Sequence, residues 1–447
     1  MATISTQEET ASNIPGPREL PLIGNAFDLV LDGLGQRLKW SREFGDIYRL
    51  NLAGQHTVVI TRPDWVQEVL MGRPLEFERS DLLNPRENPL LGRGLFTTLN
   101  REFRPKRKRM QPAFNHSRVA DYAKVMAAYA EEQATGWQDG VFDIQHEMMQ
   151  VTMRIIGKTM FDRDLSGEAD ELGETITRLI AEPNNPLPIP PEWPTLRNVR
   201  VRRGISRLDA TVYQMIAERK ANGSDHGDLL SMLLASRDEQ GNAMSDKDVR
   251  DELMTILIAG HETTALALTW TLHLLTQHPG YYQRVQAELD CVLAGRTPTV
   301  ADLPQLTYTT QAIKEALRLY PPAHAIARAN EQAETMGGYQ LPARTLILID
   351  VWAMHRRADY FAQPEQYDPD RFSPECEKQM PKGAYLPFGT GPRICIGQSF
   401  AMMEAQMVLA TLMQRVHFSA VAQRVQPDAV VTLRPKGGLK MRVARQG

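Results

Sequence analysis

Residues 388–397 read Phe-Gly-Thr-Gly-Pro-Arg-Ile-Cys-Ile-Gly, and no other stretch of the chain is as restrictive. Three glycines, a proline and one cysteine stand directly before an amphipathic run, residues 398–415, whose spacing predicts a helix. The glycines let backbone amides turn toward a bound atom where a side chain would obstruct them. Unpaired amides and the positive end of a helix dipole favour the ionised form of a cysteine placed there, and Arg393 adds a nearby positive charge. The pattern describes a thiolate held on a tight loop, and such a thiolate can ligate haem iron.

The other two cysteines, Cys291 and Cys376, bring the total to three, an odd count that excludes a disulfide framework and predicts a reducing, cytoplasmic setting. A formal net charge of −3 argues against a nucleic-acid protein with a broad basic face. With 42% hydrophobic residues over 447 positions the chain can bury a large core. Residues 1–13 are expected to be a disordered polar N-terminus, and residues 14–447 a single catalytic domain. No membrane anchor is expected, since the polar start has no apolar signal core. The longest apolar run, residues 253–275, carries Glu262 near its centre, at a cost of about 2.5–3.5 kcal/mol for membrane insertion. A helix buried inside a large domain fits it better.

That helix is announced by Ser245-Asp246-Lys247-Asp248, which reads as an N-terminal capping box, and is expected to end near His278-Pro279-Gly280. It is apolar almost all round, as a helix through the middle of a molecule must be. Its centre, Ala259-Gly260-His261-Glu262-Thr263-Thr264, breaks the local rules: a glycine costs about 1 kcal/mol in a helix interior, and polar groups follow it. His261-Glu262 invites a zinc-peptidase reading, but position 265 is alanine where a second histidine is required. A mid-helix threonine such as Thr263 ordinarily bonds back to a carbonyl.

The spacing Phe388-x-x-Gly391-x-Arg393-x-Cys395-x-Gly397 resembles that of the cytochrome P-450 family of haem-thiolate monooxygenases. Four further stretches match in order, and the resemblance spans about residues 14–443. Phe103-x-x-x-Arg107 corresponds to the family's Trp-x-x-x-Arg, with phenylalanine in place of the tryptophan and one propionate hydrogen bond thereby in question. Ala259-Gly260-His261-Glu262-Thr263 matches Ala-Gly-x-Glu-Thr. Glu315, Arg318 and Arg371 match a structural Glu-Arg-Arg triad, and Arg328 a second propionate arginine. The resemblance implies a mainly α fold with a smaller β-rich region, and haem b between a long central helix and the cysteine loop. Cys395 would be the metal ligand. Phe103, Arg107, Ala259, Gly260, Arg328, Pro387, Phe388, Arg393 and Gly397 would join it around the cofactor. Ala259 and Gly260 would leave room for dioxygen, Thr263 would hydrogen-bond it, and Glu262 would relay protons.

The substrate side is read from apolar stretches. Residues 73–100 have no clear period and several prolines and glycines, yet carry Leu82, Leu83, Leu90, Leu91, Leu95 and Phe96, too many apolar groups for a solvated loop. In the resemblance this stretch arches over the haem. Leu90, Leu91, Leu95, Phe96, Ile258, Ala259, Ala323, His324, Ala325, Ile326 and Gly438 are the candidate pocket; His324 is either a substrate hydrogen-bond partner or a structural histidine. Residues 183–194 hold six prolines and predict an extended segment joining two helices, similar to the family's lid connection or else a surface linker. The basic cluster Arg101, Arg104, Lys106, Arg107, Lys108 and Arg109 is a solvated face or a docking site for an acidic electron donor. The implied reaction hydroxylates or epoxidises a lipophilic small molecule (terpenoid, fatty acid or polyketide-like). It would use dioxygen and two electrons from a separate ferredoxin or flavodoxin with its reductase; no fused redox domain is expected. A peroxide-driven peroxygenase, a hydroperoxide isomerase and a non-catalytic haem-thiolate sensor are the alternatives.

Overall fold

A computed structural model describes residues 13–79, 89–181, 193, 195–223, 225–238 and 240–446. Leu82, Leu83 and nearly all of the proline-rich segment 183–194 lie outside the described residues. The chain folds into two compact units, residues 1–84 with 314–395, and residues 85–313 with 396–447.

The first unit is built on a five-stranded sheet whose order is Ile47–Leu52, Gln55–Ile60, Leu346–Ile349, Ile326–Asn330, Phe77–Glu78. All neighbours are antiparallel except Gln55–Ile60 against Leu346–Ile349. The pleat alternates side chains between faces, and both faces are covered. Ile47, Val58, Ile60, Ile347 and Ile349 join Val66, Val69, Leu70, Phe77 and Leu386 in one core. Tyr48, Leu50 and Val59 face the other way and pack with Trp40 of helix Ala26–Phe44. That helix is kinked at Asp32, whose φ of −154° is not helical and whose carboxylate accepts from the Gly35 amide at 3.0 Å, so a new helical run starts there.

The second unit is helical. Its longest element, Asp246–Gln277, packs most extensively on Ile144–Phe161, and Gln398–Met413 packs on His116–Gly136. Small sheets complete it: Gly140–Asp143, Lys440–Arg445 and Val416–Ala420 in one, Pro427–Ala429 with Leu433–Pro435 in another. Ser245 caps the long helix as expected, its hydroxyl accepting from the Asp248 amide at 3.1 Å and donating to the Asp248 carboxylate at 2.6 Å. The mainly α architecture with small sheets matches the expected fold class. Among the described residues no helix is long and apolar enough to cross a membrane.

In the first unit Glu315 and Arg318 are completely buried one helical turn apart. Two parallel N–H···O bonds of 2.7 Å join them. Arg318 spends its remaining donors on the carbonyls of His355, Pro364 and Gln366, while Glu315 also accepts from the Asp368 amide and Arg371. Desolvating two charges is compensated only when every donor and acceptor is engaged. Glu315→Ala leaves Arg318 charged and buried, and should destabilise the fold by about 3–5 kcal/mol. Urea unfolding of the variant checks this; a midpoint equal to wild type would refute it.

Candidate active site

In the first unit the cysteine loop is held by its own backbone. The Cys395 amide donates to the Phe388 carbonyl at 3.0 Å and the Ile394 amide to Gly391 at 3.0 Å. Gly389 and Gly391 have φ of 69° and 74°, a region that disfavours side chains. Gly391 also lies so close to the Leu70 carbonyl that a Cβ would stand 2.0 Å from that oxygen. The thiol of Cys395 is exposed, with Pro387, Phe388, Arg393 and Gly397 half-buried around it in sequence. Gly397 caps the helix Gln398–Met413 that continues the chain.

Upstream, the loop is fastened by a residue that motif reading missed. His355 is buried, its Nδ1–H donates to the Arg318 carbonyl at 2.9 Å, and its Nε2 accepts from the Leu386 amide at 2.9 Å. Burial pushes its pKa down to about 3, so it stays neutral and keeps the lone pair that Leu386 requires.

Three arginines of the same unit crowd together. Arg328, buried, is pushed down to about 10 by desolvation and by the neighbouring Arg393. Arg79 is held well below the ordinary arginine range by burial and then by Arg328 and Arg393. Glu78 is the carboxylate beside them, 3.6 Å from Arg393. Among the described residues these guanidiniums depress one another's pKa, a setting suited to an anionic group. Arg79 was not singled out in the sequence because it belongs to no spaced motif.

In the second unit, the central helix is buried from Val249 to Leu272 except at Ala259, Gly260 and Thr263. These three residues form one accessible strip of small side chains. Gly260 has a packing reason as well: a Cβ there would approach Ile156 of the neighbouring helix to 2.7 Å. The Thr263 hydroxyl donates to the Ala259 carbonyl at 2.7 Å, the ordinary back-bond, leaving its oxygen free to accept from an incoming donor. Glu262 is buried, accepts from the Thr432 hydroxyl at 2.8 Å through one oxygen, and has no hydrogen-bond partner at the other. Burial pushes its pKa above the usual carboxylate range. His261 points elsewhere: fully buried, it donates from Nδ1 to Leu257 and is held at about 4 by desolvation, hence neutral. Among the described residues no group of three or more acidic, histidine or cysteine side chains could hold a metal ion.

On helix Asn100–Met110 the Phe103 ring is buried and the Arg107 guanidinium lies 5.9 Å from its centroid, so phenylalanine supports the arginine through its π face. Of the pocket candidates in the second unit, Leu90, Leu95 and Ile258 are buried, Leu91 is half-buried, and Phe96 is 39% exposed. Gly438 has a backbone reason to be glycine: its φ is 87°, and Asp143 presses where a Cβ would be. In the first unit Ala323 is exposed, and Ala325 and Ile326 are half-buried. His324 turns its Nδ1 to Arg37 at 2.9 Å, and Arg37 is in turn clamped on buried Asp350. With that lone pair committed, the structural role named for His324 is the better supported of the two.

The Cytochrome P450 family model matches residues 14–441. The chain belongs to the cytochrome P450 family. It is 36% identical to cyclooctatin synthase of Streptomyces melanosporofaciens, over 94% of this chain and 91% of that protein. It is 35% identical to cyclooctat-9-en-7-ol 5-monooxygenase of the same organism, over 89% and 88%. Identity to pentalenene oxygenase of Streptomyces avermitilis is 31%, over 93% and 92%. The crystal structure of the cytochrome P450DA heme domain superposes with a TM-score of 0.87 at 26% identity, covering 97% of this chain and 98% of that one. The protein is therefore a cytochrome P450 monooxygenase, and its cofactor is haem b. The residues present suit that cofactor: an exposed thiol on a rigid loop and a cluster of three arginines able to receive propionates.

A second buried acid stands on the helix after the cysteine loop. Glu404 is 1% exposed, and the Thr264 hydroxyl is the polar group beside its carboxyl. Burial holds its pKa well above the usual value. A carboxyl raised in the folded state stabilises fully below its unfolded pKa, and that contribution is lost as pH climbs through the folded value. Glutamine copies the neutral form. Glu404→Gln should therefore lose less stability than wild type as pH rises from about 4 toward neutrality, read as urea midpoints; parallel losses would contradict a raised Glu404.

Proposed function

We propose that this monooxygenase hydroxylates or epoxidises a lipophilic small molecule of terpenoid type, with electrons from a separate ferredoxin or flavodoxin and its reductase. The observation that carries the reading is the central helix: buried throughout its middle, open only at Ala259, Gly260 and Thr263, with the raised carboxyl of Glu262 adjoining that strip. The candidates Leu95 and Phe96 in the second unit, and separately Ala325 and Ile326 in the first, are apolar, which favours an uncharged substrate. The relatives named for cyclooctat-9-en-7-ol and pentalenene oxidation support the terpenoid class.

Cys395 would ligate the iron. Arg79, Arg328 and Arg393 of the first unit are candidates to hold a propionate, and so, in the second unit, is Arg107 on Phe103. When bound, haem supplies dioxygen chemistry, and a thiolate ligand favours O–O cleavage. The chain's own contribution is proton management and exclusion of water. Glu262, whose pKa burial raises, would hand on a proton from the carboxyl oxygen that has no hydrogen-bond partner among the described residues. Thr263 would accept or pass a hydrogen bond at the accessible strip, while the apolar side chains keep bulk water from short-circuiting that delivery. Exposed Arg101, Arg104 and Lys108 on the basic helix would receive an acidic electron donor.

Thr263→Ala removes the hydroxyl without altering the apolar wall. Product formed per electron pair should fall by roughly ten-fold or more, with peroxide released while reductant is still consumed. The assay is product and peroxide measured against reductant oxidised with a surrogate redox chain. Coupling unchanged from wild type would overturn the role given to Thr263.

A further inference from the structure

The segment 89–98, which the proposed function places against substrate, is fastened to the central helix by two consecutive carboxylates. Asp251 accepts from the Arg93 amide at 2.9 Å, and Glu252 accepts from the Leu95 amide at 2.7 Å. The approach is close. A Cβ on Gly92 would lie 2.2 Å from the Asp251 carboxylate, and one on Gly94 would lie 2.0 Å from the Thr255 hydroxyl. Gly92 also has a φ of 52°. The two glycines are thus what allows the loop backbone to reach the helix.

Asp251 and Glu252 differ in their counter-ions. Asp251 is met by Lys247 and Arg250, both on its own helix. Glu252, 1% exposed, has one cation, Lys106 of the basic helix, at 3.3 Å. Lys106 also donates to the Arg93 carbonyl of the loop. One buried carboxylate therefore ties three pieces together: the central helix that carries it, the basic helix through Lys106, and the loop through Leu95. Loop residues Thr97 and Thr98 close the segment on itself through bonds to Gly92, Arg93 and Gly94 carbonyls, so anchoring Leu95 orients the whole turn. With Leu95 held inward, the next ring, Phe96, is presented outward.

We propose that Glu252 is a positioning residue: held by Lys106 and bonded to the Leu95 amide, it fixes the 92–98 turn on the central helix and so sets where Phe96 stands and how large a ligand the site accepts. The inference rests on the proposed function for the role of Phe96, but the anchoring itself does not.

The test compares Glu252→Ala and Glu252→Gln holoenzymes. Glutamine keeps an acceptor for Leu95; alanine removes it. Hydrogen exchange resolved at Leu95 should accelerate about ten-fold or more in the alanine variant, the effect of losing one hydrogen bond of about 1.4 kcal/mol. It should stay near wild type in the glutamine variant. Binding of imidazole and of the larger 4-phenylimidazole, followed by the Soret shift, reports the site's size. Their ratio of dissociation constants should change several-fold in Glu252→Ala and be restored in Glu252→Gln. If Glu252→Ala does not fold, Lys106→Met should raise exchange across 92–98 by about three-fold or more by freeing one end of the clamp. Unchanged exchange at Leu95 in Glu252→Ala, or in the 92–98 segment of Lys106→Met, overturns the anchor. Faster exchange with an unchanged ligand ratio overturns the positioning role and leaves the anchor. Failure of either azole to shift the wild-type Soret band would instead count against the haem site itself.

Discussion

The buried Glu315–Arg318 pair is the interaction on which the cysteine loop depends. Its worth lies less in net stability than in completeness, because each charge is tolerable only while the other is present. From it a continuous line of hydrogen bonds leads to the loop: Arg318 to the His355 carbonyl, His355 to the Leu386 amide, Leu386 to Gly389, and Phe388 to Cys395. The histidine works in that line because it is neutral, donating at one nitrogen and accepting at the other. A charged imidazole would leave the Leu386 amide facing a donor. The loop's rigidity therefore comes from residues that never touch the thiol.

The central helix solves a different problem, carrying polar groups through an apolar interior. Each was placed at a distinct cost. His261 is made neutral and bonded to a carbonyl one turn back. Glu262 is left with one satisfied oxygen and a raised pKa, and Glu404 is raised by burial with the Thr264 hydroxyl beside it. Buried acids are uncommon because desolvation costs about 1–3 kcal/mol or more per group. Their presence on or beside the strip where the helix is accessible is what separates this helix from an ordinary core element.

Much of this was legible in the chain because it is local. The cysteine loop is ten consecutive residues, the Ala259–Thr263 run five, and the long helix is framed by its own cap. What escaped depends on residues distant in sequence. Arg79 acquires meaning only when strand pairing puts Phe77–Glu78 beside Ile326–Asn330, the strand of Arg328. His355 matters through contacts 31 and 37 residues away. Gly260 and Gly438 were read as space for ligands, yet each also answers to a neighbour, Ile156 and Asp143, that no one-dimensional pattern displays.

The central claim is that Cys395, on its glycine-shaped loop, is the thiolate ligand of the haem. The most direct measurement is the carbon monoxide difference spectrum of the reduced protein beside that of Cys395→Ser. A strongly red-shifted Soret band in wild type, absent from a haem-loaded serine variant, is the predicted result. A haem-loaded wild type without that band, or a serine variant that keeps it, would contradict the claim.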